Sequence, residues 1–414
     1  MKHTVYLDHA ATTPLHPDAL EAMLPYLRDR FGNPSGAYAL GRQAARAVDE
    51  ARRTVADLLD CRPREVVFTG AGTESINLAI KGVAFAQKLA GIGNHIVTCA
   101  TEHHAVLHSC EYLERLGFET THVPVDRYGM VNPQSVAQAV TDRTVVVSVM
   151  LANNEVGTIN PIGDVASAVR ERATALRRRI PVHTDAVQAA NSLDLSVGAL
   201  GVDLLSLSSH KFYGPKGAGV LYIRGGTPFL ALQSGGGQER HRRAGTENVP
   251  GIVGTAAALR LAQERREEYA GVSRRLRDRI IEGVRAAVPA ATLNGHPDRR
   301  LASNAHFSFE GAESDDMLAA LDKQGVAASA GSACTSATWE PSHVLVAMGV
   351  PLSRAVAALR LTVGPDNTDD DVDHLVLALE PAVCDQCAGR ARDLVMTLPD
   401  IRADNKVRGS GFVF

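Results

Sequence analysis

Six short runs rich in β-branched and other apolar residues recur over the first 225 residues, and each is followed by a polar or glycine-containing turn and then a helix-like stretch. They are Glu65-Val-Val-Phe-Thr69, His95-Ile-Val-Thr98, Thr144-Val-Val-Val-Ser-Val-Met150, Ile180-Pro-Val-His183, Asp203-Leu-Leu-Ser-Leu207 and Gly219-Val-Leu-Tyr-Ile223. Runs that are apolar on both faces must be covered on both, and strands that alternate with helices run mostly parallel. The pattern therefore specifies an α/β fold with a helix-covered sheet that ends near residue 225. The stretch after Thr101-Glu-His-His104 has helical period, with Val106, Cys110, Leu113 and Leu116 about one turn apart. A glycine-rich segment, 233–246, precedes a long helical pattern that begins near Val253. Beyond it, strand-like Ala305-His-Phe-Ser-Phe309 and Ala357-Ala-Leu-Arg-Leu-Thr-Val363 suit a smaller α+β domain. The expected division is a large domain over 16–262, and a small domain made from 1–15 and 263–414 that carries a loop at about 327–337.

Charge excludes some partners. Forty-three Lys plus Arg against 46 Asp plus Glu give a net charge of −3, so no basic field draws the chain to nucleic acid or an anionic membrane. No stretch approaches the roughly 18–20 apolar residues of a membrane span, and Met1-Lys-His-Thr-Val-Tyr-Leu-Asp8 is not a secretory leader, so a cytoplasmic location is expected. Six cysteines, at 61, 99, 110, 334, 384 and 387, are too few and scattered for a disulfide scaffold. Any cysteine that matters is expected to act as a thiol. Cys384-Asp-Gln-Cys387 has metal-like spacing but no second pair nearby, so no metal is expected. The acidic and basic residues that alternate over 260–285 read as a solvated helix face.

Candidate chemistry concentrates at strand ends. In Ser206-Leu-Ser-Ser-His-Lys-Phe-Tyr-Gly-Pro-Lys-Gly217 an apolar strand delivers Ser208, His210 and Lys211 into a glycine-closed turn. Parallel sheets place ligands at the carboxyl ends of their strands, and a partly desolvated lysine there is a Schiff-base nucleophile. A carbonyl cofactor that forms such an imine needs a phosphate cradle and a carboxylate for its ring nitrogen. Phe68-Thr-Gly-Ala-Gly-Thr-Glu-Ser75 runs from a strand through glycines into a helix, so the Gly72 and Thr73 amides and the Thr73 hydroxyl suit a phosphate. Asp185, in Pro181-Val-His-Thr-Asp-Ala-Val-Gln188, stands at another strand end as the carboxylate; a helix N-cap is its alternative reading.

With these motifs in place, the chain resembles the cysteine desulfurases, pyridoxal-phosphate enzymes of fold type I in the class V aminotransferase group. The resemblance runs from Tyr6-Leu-Asp-His-Ala-Ala-Thr-Thr-Pro14 to about residue 380. It takes in Phe31-Gly-Asn-Pro-Ser35, Thr101-Glu-His103, Asn153-Asn-Glu-Val-Gly157, Asp185-x-x-Gln188, Ser208-Ser-His-Lys211, Arg243-Ala-Gly-Thr246 and Gly331-Ser-Ala-Cys-Thr-Ser336. The resemblance implies pyridoxal 5'-phosphate as cofactor, with Lys211 as the imine-forming lysine, Asp185 on the pyridine nitrogen and Gln188 on the ring hydroxyl. It implies that His103 stacks on the ring and helps move protons, and that Gly72, Thr73, Ser208 and His210 hold the phosphate. Thr246 matches a residue that reaches the phosphate of a neighbouring subunit, which implies a homodimer. Asn154 and Arg360 look like the pair that holds the substrate carboxylate. His104 reads as structural or solvent-facing.

Cys334 separates the desulfurases from their relatives. It lies in Ala327-Ala-Ser-Ala-Gly-Ser-Ala-Cys-Thr-Ser-Ala337, eleven residues with only small side chains, which predicts a mobile loop with an exposed thiol. A long loop of this kind resembles the iron–sulfur-assembly and nitrogen-fixation type. Cys61, Cys99 and Cys110 read instead as core thiols. The resemblance implies conversion of L-cysteine to L-alanine, with sulfur carried as a persulfide on Cys334 to a protein acceptor such as an iron–sulfur scaffold or a sulfur carrier. Selenocysteine lyase and aminotransferase activities of the same group are the alternatives.

Overall fold

The computed structural model describes residues 4–331 and 341–393, with side chains described up to Val383. Twelve strands are present among the described residues: β1 (Val5–Tyr6), β2 (Val66–Thr69), β3 (His95–Cys99), β4 (Glu119–Val123), β5 (Thr144–Ser148), β6 (Val182–Asp185), β7 (Leu204–Ser208), β8 (Gly219–Ile223), β9 (Thr292–Asn294), β10 (Asn304–Ser308), β11 (Val326–Ala327) and β12 (Ala358–Thr362). Seven of them form the main sheet in the order β2-β8-β7-β6-β5-β3-β4. The pairs from β4 to β7 are all parallel, and only β8 runs against its neighbours. Because β8 reverses direction on both sides, β2 points the same way as β3, β5, β6 and β7. All five therefore open their carboxyl ends on one edge of the sheet.

Each expected strand is present within a few residues of its apolar run. Strands β3, β5, β6, β7 and β8 are buried along their whole length. Helices cover both faces, as a two-sided apolar sheet requires. On one side Ala44, Val48, Val55, Ile162, Val165, Val169, Ile252 and Leu259 pack on Val147, Leu205 and Val220. On the other, Ile76, Ile80, Val83, Val106 and Leu113 pack on Val67, Ile96, Val146 and Leu221. The helix predicted after His104 is His104–Glu114, so Leu116 falls beyond its end and is 45% exposed. Cys99 and Cys110 are buried core thiols, as expected, while Cys61 is only partly covered.

A separate core forms around β12-β10-β9, an antiparallel sheet. There Leu276, Ile280 and Val284 from the helix Arg266–Ala287 meet Phe307, Leu359, Leu361, Leu375 and Leu379, together with Val5 and Leu7 from the N-terminal segment. The chain start joins this core because β1 pairs with β11 in parallel. The helical pattern predicted from Val253 is two helices, Val249–Glu264 and Arg266–Ala287, that meet at Arg265. The first belongs to the main core through Ala258, Leu259 and Ala262, and the second to the smaller one. Arg277 departs from the solvated-face reading, since it is buried with Nη1 donating to the Leu301 carbonyl.

Candidate active site

Five strand ends converge on a cavity of about 280 Å³ at the carboxyl edge of the main sheet. Its wall brings together Gly72, Thr73, His103, Asn154, Asp185, Gln188, Ser208, His210, Lys211 and Arg360, ten residues scattered over nearly 300 positions of sequence.

β7 ends at Ser208, and the single tight turn Ser209–Lys211 that follows presents Lys211 to the cavity. Lys211 Nζ donates to the Ala10 and Ala11 carbonyls at 2.6 and 2.7 Å. Gln188 Nε2 donates to the same Ala10 carbonyl at 3.0 Å, so the N-terminal segment forms one side of the lysine's surroundings. Asn191 Nδ2 holds the Lys211 carbonyl at 2.7 Å. His210 Nδ1 lies 3.1 Å from Thr12 Oγ1.

Asp185 is the last residue of β6 and 4% exposed. Burial pushes its carboxyl up to about 6, against the Val187 amide that donates to it and the positive charge of Lys211. An acid poised in this way changes protonation state in response to a single cationic partner. Glu102, also fully buried behind the site, is pushed well above the ordinary carboxylate range by burial and then by Asp185, and its Oε1 accepts from the Met150 amide at 2.6 Å.

β3 leads through Ala100–Glu102 to His103, which caps the helix His104–Glu114: Nδ1 accepts from the Ala105 amide at 3.0 Å. That bond assigns the proton of the neutral ring to Nε2. Burial, and then Lys211, pull its pKa down to about 4, so the ring is neutral at pH 7.

The phosphate-cradle expectation rests on the helix Gly72–Leu89. Its N-cap is Ala71, which offers no side-chain oxygen to the first-turn amides. A long helix with unmatched first-turn amides facing a cavity is an anion site. Gly72 is required there: a Cβ would lie 2.9 Å from both Ser208 Cβ and Val187 Cγ2. The first-turn acid, Glu74, is turned aside to Arg243 at 2.8 Å and does not fill the cradle. The residues fit a phosphorylated ring, with donors for the phosphate at one end and Asp185 at the other.

Arg360, on β12 and 2% exposed, reaches the cavity from the small sheet. Its Nη1 donates to the Asn154 and Gly331 carbonyls at 2.9 and 3.2 Å, and Nη2 pairs with Asp8 at 2.7 Å. Nε is buried with no partner among the described residues.

One expected residue stands apart from this cluster, and another is not described. Thr246 is exposed and is not part of the cavity wall, and Cys334 lies outside the described residues. Cys384 and Cys387 fall on the helix Asp369–Asp393, in a stretch whose side chains are not described. One reading is corrected: His104 faces the cavity beside His103, because the helix that starts there turns both imidazoles toward the same space. Sequence reasoning passed over Asp8, Glu155 and His343. Asp8 was visible within Tyr-Leu-Asp-His, but nothing local in the sequence places His343 against this wall.

Comparison with known proteins agrees with this architecture. The family profile described as aminotransferase class-V matches residues 5–375. Cysteine desulfurase IscS of Methanosarcina thermophila is 49% identical over 92% of this chain and 91% of its own length. A solved structure titled NifS-like protein superposes with TM-score 0.85 at 36% identity, covering 92% of this chain and 99% of that one. A structure titled SspA in complex with cysteine does so with TM-score 0.76 at 35% identity, covering 88% and 99%. With its profile match, its near-half identity to a full-length relative and a cavity built for a phosphorylated imine-forming cofactor, the chain belongs to the class V aminotransferase group and, within it, to the pyridoxal-phosphate-dependent cysteine desulfurases of fold type I.

Proposed function

We propose that this chain converts L-cysteine to L-alanine and passes the sulfur to Cys334 as a persulfide, for delivery to a protein acceptor such as an iron–sulfur scaffold or a sulfur carrier. The observation that carries the reading is the convergence in one cavity of a strand-end lysine, a buried aspartate, a helix N-terminus and a buried arginine. The solved relative titled SspA in complex with cysteine supports the substrate.

Pyridoxal phosphate supplies an electron sink for the pair released at the substrate α-carbon. When it is bound, the amides of Gly72 and Thr73, with Ser208 and His210, would hold its phosphate, Asp185 would pair with its ring nitrogen, Gln188 would serve the ring hydroxyl, and His103 would neighbour the ring. Arg360 grips the substrate carboxylate, with Asn154 beside it. The Lys211 amine would act as the base that takes the substrate α-proton. Cys334 attacks the substrate sulfur as a thiolate. A sulfur–sulfur bond forms as the Cβ–Sγ bond breaks, the electron pair returns to carbon, and the three-carbon remainder takes up protons and leaves as L-alanine.

The same reading has Thr246 serve the site of a second subunit in a homodimer, a role supported by its exposure and by its not lining the cavity of its own chain. The separation of the core that gathers Val5, Leu7 and residues 276–383 from the cores on the two faces of the main sheet supports a division into 16–262 and 1–15 with 263–414. No helix among the described residues is long and apolar enough to cross a membrane; a cytoplasmic location is part of the same proposal.

Two substitutions test the reading at separate steps. Lys211→Ala should abolish both the visible imine absorbance and alanine formation; full turnover would refute its role. Cys334→Ser should bind cofactor and L-cysteine yet release little sulfide, and normal turnover would place the sulfur on another thiol.

A further inference from the structure

Most of the cavity wall is accounted for by three groups of a bound amino acid and cofactor: the phosphate end, the ring, and the carboxylate at Arg360. What remains is a face made by His104, Glu155, Gly331 and His343. L-Cysteine, on the reading proposed above, has one group left to place, its thiol.

This face carries an unmatched base. Both ring nitrogens of His104 are buried without a hydrogen-bond partner among the described residues. A buried imidazole left in that state costs free energy unless a ligand completes it. His104 is packed among other imidazoles, with ring centroids 4.5 Å from His343, 5.0 Å from His108 and 6.4 Å from His103. Burial, and then His343 and His108, lower its pKa, while Glu155 and Glu111 oppose that shift. The ring is thus a neutral acceptor at pH 7. His343 is fixed by Nε2, 2.9 Å from the Glu102 carbonyl, which can only accept. The His343 proton is therefore on Nε2, and its Nδ1 is a second acceptor. Glu155, fully buried, is held by the Ser342 hydroxyl. No set of three or more His, Cys, Asp or Glu among the described residues is arranged to hold a metal ion.

We propose that His104, seated against His343, recognises the substrate thiol and accepts its proton. The S–H bond breaks, the electron pair stays on sulfur, and the proton rests on His104 until the three-carbon product takes one up. His104 is in this sense a catalytic residue that also sets specificity for a side chain with an acidic hydrogen.

The test compares L-cysteine with L-alanine, which differ only by the thiol, as ligands of the holoenzyme in a Cys334→Ser background, read by spectral titration. His104→Phe should weaken L-cysteine about tenfold, as loss of one buried hydrogen bond does, and leave L-alanine within about twofold. Equal weakening of both ligands, or no change for L-cysteine, overturns the proposal. His104→Gln, which can accept a hydrogen bond but not a proton, should restore most of the L-cysteine affinity while turnover with Cys334 intact stays slow; normal turnover would refute proton acceptance. Because the first readout is a binding preference, it stands apart from the desulfurase reading, which fails only if the intact enzyme makes no alanine from L-cysteine.

Discussion

Arg360 and Asp8, 352 residues apart in sequence, meet as a partly buried ion pair, with Nη2 2.7 Å from Oδ1. The arginine assigned to the substrate carboxylate already has an anion at one corner, and its buried Nε is the donor left to match. An arriving carboxylate must therefore share the guanidinium with Asp8. Removing one partner of a buried pair leaves the other uncompensated. Asp8→Asn is expected to cost about 2–3 kcal/mol in the apo protein. L-Alanine, which carries the same carboxylate, should then raise the melting temperature of the holo variant more than that of the holo wild type, because it replaces the missing anion. Thermal melts with and without L-alanine decide this; equal stabilisation would show that Asp8 and substrate do not compete.

Asp185 gives a stability effect opposite in sign to its function. Its folded pKa, pushed up to about 6 by burial, lies above the ordinary value of 3.8. Between these values the folded apo protein holds a proton that the unfolded chain has released, so stability falls as pH rises from about 4 to about 6. Above that window the cost is constant, on the order of 2–3 kcal/mol. Asp185→Asn removes it and should leave the apo protein as stable as wild type at pH 4 and more stable at pH 7, while alanine formation collapses. Apo melting curves against pH check the first part. A stability gap that does not change between pH 4 and pH 7 would mean that the carboxyl is not desolvated.

The loop that leads to Thr246 rests on a buried bidentate pair. Arg52 Nη1 and Nη2 each lie 2.7 Å from a Glu239 oxygen, and the guanidinium stacks 4.9 Å from the Phe68 ring. Glu239, Arg240 and His241 all adopt left-handed φ, at 46°, 56° and 63°. Such residues are strained, and only surrounding contacts hold three in a row. Glu239→Gln should destabilise the protein by about 3 kcal/mol, since Arg52 loses its counter-ion in a dry site. His241→Gly, at an exposed position, should stabilise it by about 1 kcal/mol because glycine adopts this φ freely. Denaturant melts of both variants measure the two signs, and a destabilising His241→Gly would show that the His241 side chain makes a contact worth more than the strain.

The main sheet was legible because its strands are buried on both faces, and burial writes itself as unbroken apolar runs. Strand β4 was not: its Glu119-Thr-Thr-His segment lies at the sheet edge with most side chains in solvent, so no apolar run marks it. The site followed the same logic. Lys211, Asp185 and Gly72 are legible because each stands where an apolar run ends. His343 and Asp8 are not: Asp8 reaches Arg360 only through the long-range packing of β1 on β11 and of β12 on β10, and His343 reaches the wall because the helix His343–Ala347 packs Val344 and Leu345 against Val156. His104 was misassigned because neighbouring positions at a helix start differ by a rotation that the sequence does not display.

Gly72 offers the sharpest separation of cofactor binding from folding. An added Cβ would press on Ser208 Cβ and Val187 Cγ2 at 2.9 Å, and both belong to segments locked in place, Ser208 at the end of β7 and Val187 just after Asp185. Neither can swing away as the tip of a long side chain would. The helix start must instead back off from the strand ends, which moves the amides that face the phosphate. The apo protein should lose only about 1–2 kcal/mol, partly offset by the better helix propensity of alanine. Affinity for pyridoxal phosphate should fall at least about tenfold, because charge-assisted hydrogen bonds lengthen on every amide of the first turn. Equilibrium dialysis of apo Gly72→Ala with pyridoxal phosphate and with unphosphorylated pyridoxal distinguishes the causes. Pyridoxal does not use the cradle, so its affinity should change little; an equal loss for both ligands would place the damage at the ring and Lys211 and refute the assignment of this helix end to the phosphate.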